Sequence, residues 1–508
     1  MPRSATLPAT YQPMTMASGL RASVARGPGR TALIFGEQRL TFGHLVERID
    51  KVASLAVALG LAKGDRAAIV ATNCLEYIEI VDGLAEAGVA VATPNPKQTA
   101  TELAFILNDC GARIVFVSNA AEALVRAADT PAVERIIVIG PAYENLLQQA
   151  RPATLPCVQE WDAFAIPYTS GTTGKPRGVV LPHRSRVQAG FCMASEYGCY
   201  GPDDRFLAIT PLFHGAGYSF AHAAIFFGGC CEILPAFEPE TVLRLLGTSG
   251  ATATFVVPTL FSAIMALEQP VLDRYRRHTL RALPCNAAPL SQKMKEVVVD
   301  YFGDGLLHEL YGSTEAGIVC NLRPADQLRK QRCVGHAAMM NEAKLLDQDG
   351  SPSKPGEVGE LFSRSPCMFN GYWNNPAATE AAMRDGWFSA GDLAWQDEEG
   401  CYYIVDRKND MYISGGVNVF PREVEELLVR LPGVLDAAVV GVPDDYWGEA
   451  GRAFLVMQPG ATLPPEAVIE ACKASLAGYK VPRHVAYIGV LPRNAAGKVL
   501  KTDLRQRP

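Results

Sequence analysis

Short apolar runs separated by helical patterns set the strongest constraint on this chain. Between residues 31 and 140 the runs TALIF, RAAIVAT (66–72), VAVAT (89–93), ARIVFVS (112–118) and RIIVIG (135–140) have strand length. Most intervals between them carry apolar residues at helical spacing. Strands that alternate with helices imply βαβ units and a largely parallel sheet. Thr41 stands where it would cap a helix whose apolar positions are Phe42, Leu45, Val46, Ile49 and Val52. A second α/β stretch runs from about residue 165 to 320. Around 330–405 the segments VGEL, GYW, GWF and GCYYIVDR sit between turn residues and predict shorter strands. After about residue 409, REVEELLVRL (422–431) and PEAVIEACKASL (465–476) read as helices, and DAAVVGV (436–442) and RAFLVM (452–457) as strands. The expected fold is α/β: a large body of doubly wound subdomains plus a β-rich portion over residues 1–408, and a small α+β domain over 409–508.

Composition agrees with that size. At 508 residues, and about 150 per domain, two to four domains are expected. A hydrophobic content of 48% supplies large cores, and a net charge of -6 argues against nucleic acid as a partner. No apolar stretch reaches the length of a membrane span, and the amino terminus lacks a continuous signal-like core. The 13 cysteines are scattered without a CxxC pair, as expected of buried thiols in a reducing cytoplasm.

The segment AIPYTSGTTGKPRGVVLPH (165–183) carries the most chemical information. Its glycines permit a tight turn whose N–H groups converge on one anion, and Thr169, Ser170, Thr172, Thr173 and Lys175 add donors around Gly171 and Gly174. It is not a Walker A loop, because GxxxxGK[ST] is not matched and Pro176 follows the lysine. By composition alone a solvated Ser/Thr/Gly linker explains it equally well.

Its neighbours decide between the two. YTSGTTGKPRG resembles the signature loop of the adenylate-forming superfamily, which includes acyl- and aryl-CoA synthetases, luciferases and peptide-synthetase adenylation domains. PLFHGAG (211–217), NAAPL (286–290), YGSTEAG (311–317), GWFSAGDLA (386–394), YIVDRKNDMYISGGVNVFPREVEE (403–426) and PRNAAGKVLK (492–501) match further family motifs in the expected order. The resemblance extends from about residue 30 to the end of the chain, and the acyl-CoA synthetase branch fits best. It implies an acid-thiol ligase using ATP, Mg²⁺ and coenzyme A: a carboxylic acid becomes acyl-AMP, and the acyl group then passes to the CoA thiol.

The resemblance also implies roles residue by residue. Thr169 to Lys175 would hold phosphate. Asn286, Ala287, Ala288 and Pro289 would lie beside adenine, and Tyr311 would stack on it, with Gly312 and Ser313 also binding the nucleotide. Thr314 would contact the α-phosphate and Glu315 would hold Mg²⁺; a lone helix-terminal acid is the plainer reading of Glu315. Asp392 would accept the ribose hydroxyls, and Arg407 would reach the nucleotide. Lys498 would stand between carboxylate and phosphate. Such an acid is already ionised, with a pKa of roughly 4 to 5, so the first step needs a cation rather than a base. His214 would gate the acid or the thiol.

The small domain is expected to be mobile, rotating about Asn409 to withdraw Lys498 and bring Gly415 and Gly416 toward pantetheine. Asn409 departs from the usual Asp or Lys, Arg177 from the usual Lys, and NAAPL from the more frequent GGAPL. The acyl pocket would draw on Phe213, Gly215, Ala216, Val257, Pro258, Ala287, Gly312, Gly317 and Ile318. These are small or apolar, which favours an uncharged aromatic or medium-chain acid. A stand-alone adenylation enzyme serving a separate carrier protein, and a catalytically silent nucleotide-binding scaffold, are the competing readings. A homodimer is compatible with all of them.

Overall fold

The strands that open the chain do not all join the sheet their sequence neighbours build. The computed structural model describes residues 10–170, 176–493 and 499–507. In it Arg66–Val70, Ala90–Ala92, Ile114–Val117 and Arg135–Val138 run parallel, as the alternating pattern predicts. Ala163–Ala165 extends this sheet in parallel, and Leu181–Pro182 closes its edge antiparallel. Thr31–Phe35 behaves differently. It turns at Gly36 (φ +59°) into Gln38–Thr41, and its other edge takes Cys230–Ile233 in parallel within a second sheet. An apolar run reports that a strand's faces are buried, not which partner meets its edges, so TALIF looked like part of the first sheet.

The helix Phe42–Ala58 forms where expected. Thr41 Oγ1 accepts the His44 N–H at 3.3 Å, and Phe42, Leu45, Val46, Ile49 and Val52 are all buried. These side chains belong to one large core that also takes Ile69 and Phe116 from the first sheet and Leu33 and Phe206 from the second. Each fully buried Leu, Ile or Phe stabilises by about 1.5–3 kcal/mol, so this shared core binds the subdomains into one body.

The β-rich portion continues strands Leu307–Ser313 and Gly317–Leu322 through Cys333–Ala337, Tyr402–Arg407, Asp392–Gln396 and Gly359–Arg364. Its ladders are antiparallel, as short strands between turns require. Beyond it, Tyr412–Ser414, Val417–Val419, Val434–Asp444, Gly448–Met457 and His484–Tyr487 build a separate five-stranded sheet. Helices Pro421–Leu428 and Pro465–Ser475 pack on it through Val424, Leu428, Val468 and Cys472, giving this unit its own core. The first of these helices stops three residues short of the apolar pattern, which ends in turn bonds from Arg430 and Leu431.

Among the described residues, two polar links join the body to helix Pro421–Leu428. Asp406 accepts the Arg422 N–H at 2.9 Å at the start of helix Pro421–Leu428, and Arg332 pairs with Glu426. All thirteen cysteines are free, with Cys157 alone exposed. Among the described residues, no helix is long and apolar enough to cross a membrane.

Candidate active site

The end of strand Leu307–Ser313 and the turn after it gather the expected groups. Gly312 lies so near the returning strand that a Cβ there would stand 2.0 Å from the Gly317 oxygen, so only glycine fits. Gly317 itself has φ +74°. The two glycines let the chain reverse within Ser313–Ala316, which places Thr314 and Glu315 at the tip.

On one side of this turn, Tyr311 donates its hydroxyl to Asp392 Oδ2 at 2.5 Å, and Arg407 Nε lies 3.3 Å from Asp392 Oδ1. Asp392 and Arg407 face each other across neighbouring antiparallel strands, so the register of that ladder creates the pair. Burial and the Asp392 carboxylate together hold the Tyr311 hydroxyl well above its ordinary pKa, which keeps it a donor. Each Asp392 oxygen keeps a further lone pair for a ribose hydroxyl.

On the other side, Tyr372 donates to Glu315 Oε1 at 2.9 Å, and the Arg177 guanidinium lies over the Tyr372 ring at 5.6 Å. The arginine that replaces the usual lysine therefore meets an aromatic face, a contact suited to a planar cation. Arg177 belongs to a hairpin, Tyr168–Ser170 with Pro176–Gly178, in which Thr169 pairs with Arg177. Its base is fixed by Tyr168 donating to Asp109 Oδ2 at 2.5 Å and by Trp373 N–H on the Gly178 oxygen at 2.8 Å. Gly171, Thr172, Thr173, Gly174, Lys175 and Lys498 lie outside the described residues.

The His214 loop reaches the same turn: a Cβ on Gly215 would stand 4.0 Å from Thr314 Cγ2. His214 is the N-cap residue of helix Gly215–Phe226, its ring packs on Phe213 at 4.6 Å, and burial lowers its pKa. The loop is pinned by Asn73, which donates to the Thr210 and Leu234 carbonyls and accepts the Leu212 N–H at 2.8 Å. Asn286 to Pro289 form a mostly exposed turn in which Ala287 holds φ +81°, a left-handed conformation that glycine adopts more easily. The turn is tied down by the Leu290 N–H on Glu309 Oε1 at 3.0 Å, and Glu309 is ion-paired with the buried Lys295.

Not every expected group is brought here. Gly415 and Gly416 have φ +59° and +79° in the turn between Tyr412–Ser414 and Val417–Val419. Among the described residues a Cβ on Gly415 would meet the Trp447 ring alone and one on Gly416 would meet nothing, so neither touches the Tyr311–Asp392 group. Sequence reasoning missed Tyr372, Asn73, Lys295 and Arg186. The last is a buried arginine whose Nη2 donates to the Thr314 carbonyl at 2.7 Å. Tyr372 alone had a visible signal, in the GYW segment of the β-rich portion.

The donor set is suited to a nucleotide and one hard cation. Glu315 is buried and keeps one oxygen free of Tyr372, while no cluster of three or more His, Cys, Asp or Glu gathers for a metal among the described residues. A single carboxylate fits Mg²⁺, which takes most of its ligands from phosphate and water.

Comparison with known proteins finds relatives over nearly the whole chain. Residues 20–373 match the AMP-binding enzyme model and residues 423–498 the AMP-binding enzyme C-terminal domain. A feruloyl-CoA synthase of Amycolatopsis sp is 34% identical over 483 residues, covering 94% of this chain and 96% of its own. A 2-succinylbenzoate–CoA ligase of Geobacillus kaustophilus is 33% identical, covering 97% and 98%. Among solved structures, ATP-bound MatB from Rhodopseudomonas palustris superposes with a TM-score of 0.88 at 29% identity, covering 97% of this chain and 99% of that one. The chain belongs to the AMP-binding enzymes, the adenylate-forming superfamily, and within it to the acyl-CoA synthetases.

Proposed function

We propose that this enzyme activates an uncharged aromatic or medium-chain carboxylic acid as its acyl-AMP and transfers the acyl group to coenzyme A. The observation that carries this reading is the turn at Thr314–Glu315. There a nucleoside-binding set (Tyr311, Asp392, Arg407) flanks one side and a cation-binding carboxylate (Glu315 with Tyr372) the other. The aromatic acids in the names of the feruloyl and succinylbenzoate relatives support a ring-bearing substrate, as do the small residues Gly215, Ala216, Gly312 and Gly317.

In the first step a carboxylate oxygen attacks the α-phosphorus of ATP, the bond to the β-phosphate oxygen breaks and pyrophosphate leaves. Both partners are anions, so the barrier is electrostatic. Lys498 bridges the two charges, Thr169 to Lys175 hold the phosphates, and Thr314 positions the α-phosphate. Mg²⁺ at Glu315 supplies charge neutralisation on the phosphates when bound. Asn286 to Pro289 and Tyr311 hold adenine, while Asp392 and Arg407 fix the ribose.

In the second step the CoA sulfur attacks the acyl carbon, AMP leaves and the thiol proton passes to solvent. His214, kept neutral by burial, gates this approach. Residues 409–508 move as a unit about Asn409, breaking the Arg422–Asp406 and Arg332–Glu426 links, so that Gly415 and Gly416 admit pantetheine.

Pyrophosphate release measured with Mg-ATP and a panel of acids, with and without CoA, tests the reading. Release and thioester formation with aryl or medium-chain acids are expected. Acyl-AMP without thioester would shift the acceptor to a carrier protein, and no release with any acid would overturn the assignment. Lys498→Ala is expected to abolish acyl-AMP formation yet spare thioester formation from supplied acyl-AMP; equal loss in both would refute the role given to this lysine.

A further inference from the structure

Behind the Thr314–Glu315 turn lies a cation that the adenylation chemistry above does not use. Arg186 sits in the first turn of helix His183–Tyr197 and is 7% exposed. Its Nη2 donates to the Thr314 carbonyl at 2.7 Å, whereas its Nη1 is buried with no hydrogen-bond partner among the described residues. The carboxylate that acts on it is Glu315, yet the two form no hydrogen bond. Burial brings the guanidinium down only to about 10, so it remains charged at neutral pH.

An arginine buried against a neutral carbonyl, with one nitrogen unsatisfied, is costly unless something compensates the charge. Beside it the protein offers the Cys367 thiol, whose pKa burial raises so that it supplies no compensating charge, and Glu315, whose Oε1 already accepts from Tyr372 and whose charge, in the reading above, serves the metal. The remaining compensation must arrive with the ligand, and the ligand of this turn is a polyphosphate. Field strength also favours the arrangement, since a cation in a dry interior acts on nearby anions with little screening.

We infer that Arg186 is a positioning residue that holds the Thr314–Glu315 turn by its hydrogen bond and, by its buried charge, favours the phosphates of Mg-ATP there. The inference rests on the proposed adenylation function. It adds a buried cation to the centre, on the side of the turn reached from helix His183–Tyr197, and assigns it to the nucleotide rather than to the acid.

The test uses the full chain and kinetics of pyrophosphate release, with KM for Mg-ATP and KM for the acid measured separately. Wild-type turnover is established first; its absence would count against the proposed function and not against Arg186. Arg186→Met is expected to raise KM for Mg-ATP by roughly ten- to a hundredfold, the size expected when a charge-assisted hydrogen bond is lost, with a much smaller change in KM for the acid. Arg186→Lys is expected to recover most of that loss, and Arg186→Gln, which keeps a donor without the charge, to recover little. Should Arg186→Met fail to fold, the Lys and Gln variants still decide. An unchanged KM for Mg-ATP in the Met variant, a Gln variant as good as the Lys variant, or a rise confined to the acid's KM would each overturn the inference.

Discussion

Replacing Lys295 by methionine separates two things the Lys295–Glu309 pair does. The Lys295 side chain is 1% exposed and that of Glu309 8%, so the two charges compensate each other out of reach of water. Removing the lysine leaves a buried, unpaired carboxylate, a loss of about 3–5 kcal/mol. Replacing both, as Lys295→Met with Glu309→Leu, removes that penalty. What remains is the Leu290 N–H, which loses its acceptor Oε1 at 3.0 Å, costing about 1–3 kcal/mol. At the midpoints of these ranges the double variant should recover about 2 kcal/mol relative to the single one. Function should not follow stability. The Leu290 bond anchors the Asn286–Pro289 turn, so the double variant is expected to keep a raised KM for ATP although it melts above the single variant. Calorimetric melting and pyrophosphate-release kinetics on the three proteins read both effects. A double variant that melts as low as Lys295→Met would refute the electrostatic argument. A double variant with wild-type KM would refute the anchoring.

Three further outcomes are expected. Ala287→Gly should stabilise the protein by about 1 kcal/mol, because Ala287 holds φ +81° against its steric preference; melting temperature checks this, and a lower value would contradict it. Tyr372→Phe should raise KM for Mg-ATP roughly tenfold by removing the hydrogen bond to Glu315, measured with saturating acid. His183 and His308 are held at about 4, chiefly by burial, below their ordinary 6.5. Since the native state keeps both neutral while the unfolded chain takes up protons, their contribution is complete above pH 6.5. It is lost as pH falls from 6.5 toward 4. His183→Gln should make melting temperature less steeply dependent on pH in that window, and an unchanged slope would exclude the linkage.

Sequence reasoning reached furthest where chemistry is local. The cap at Thr41, the buried stripe of the helix behind it, and the parallel order of Arg66–Val70 and its neighbours follow from spacing alone, because side-chain periodicity and capping are set by adjacent residues. The motifs also named residues the fold brings together: Tyr311 with Asp392 and Arg407, and Gly215 with Thr314.

Other features depended on the folded chain. TALIF joins a strand near residue 230 because its free edge is closed by a distant partner, which no local pattern encodes. Arg177 reads as a variant phosphate-loop cation until the structure sets it over Tyr372, and Tyr372 reads as an aromatic of a short strand until it meets Glu315. Arg186 looks like one more surface charge in HRSRV, and burial against Thr314 comes from helix packing. The sequence by itself determined the secondary elements, the superfamily and the residue types at the site, since those rest on short-range sterics and on the chemistry of ATP. Tertiary structure alone decided which charges are buried, which are paired and which one is left over, because the energy of a charge depends on what lies within a few ångströms of it in space.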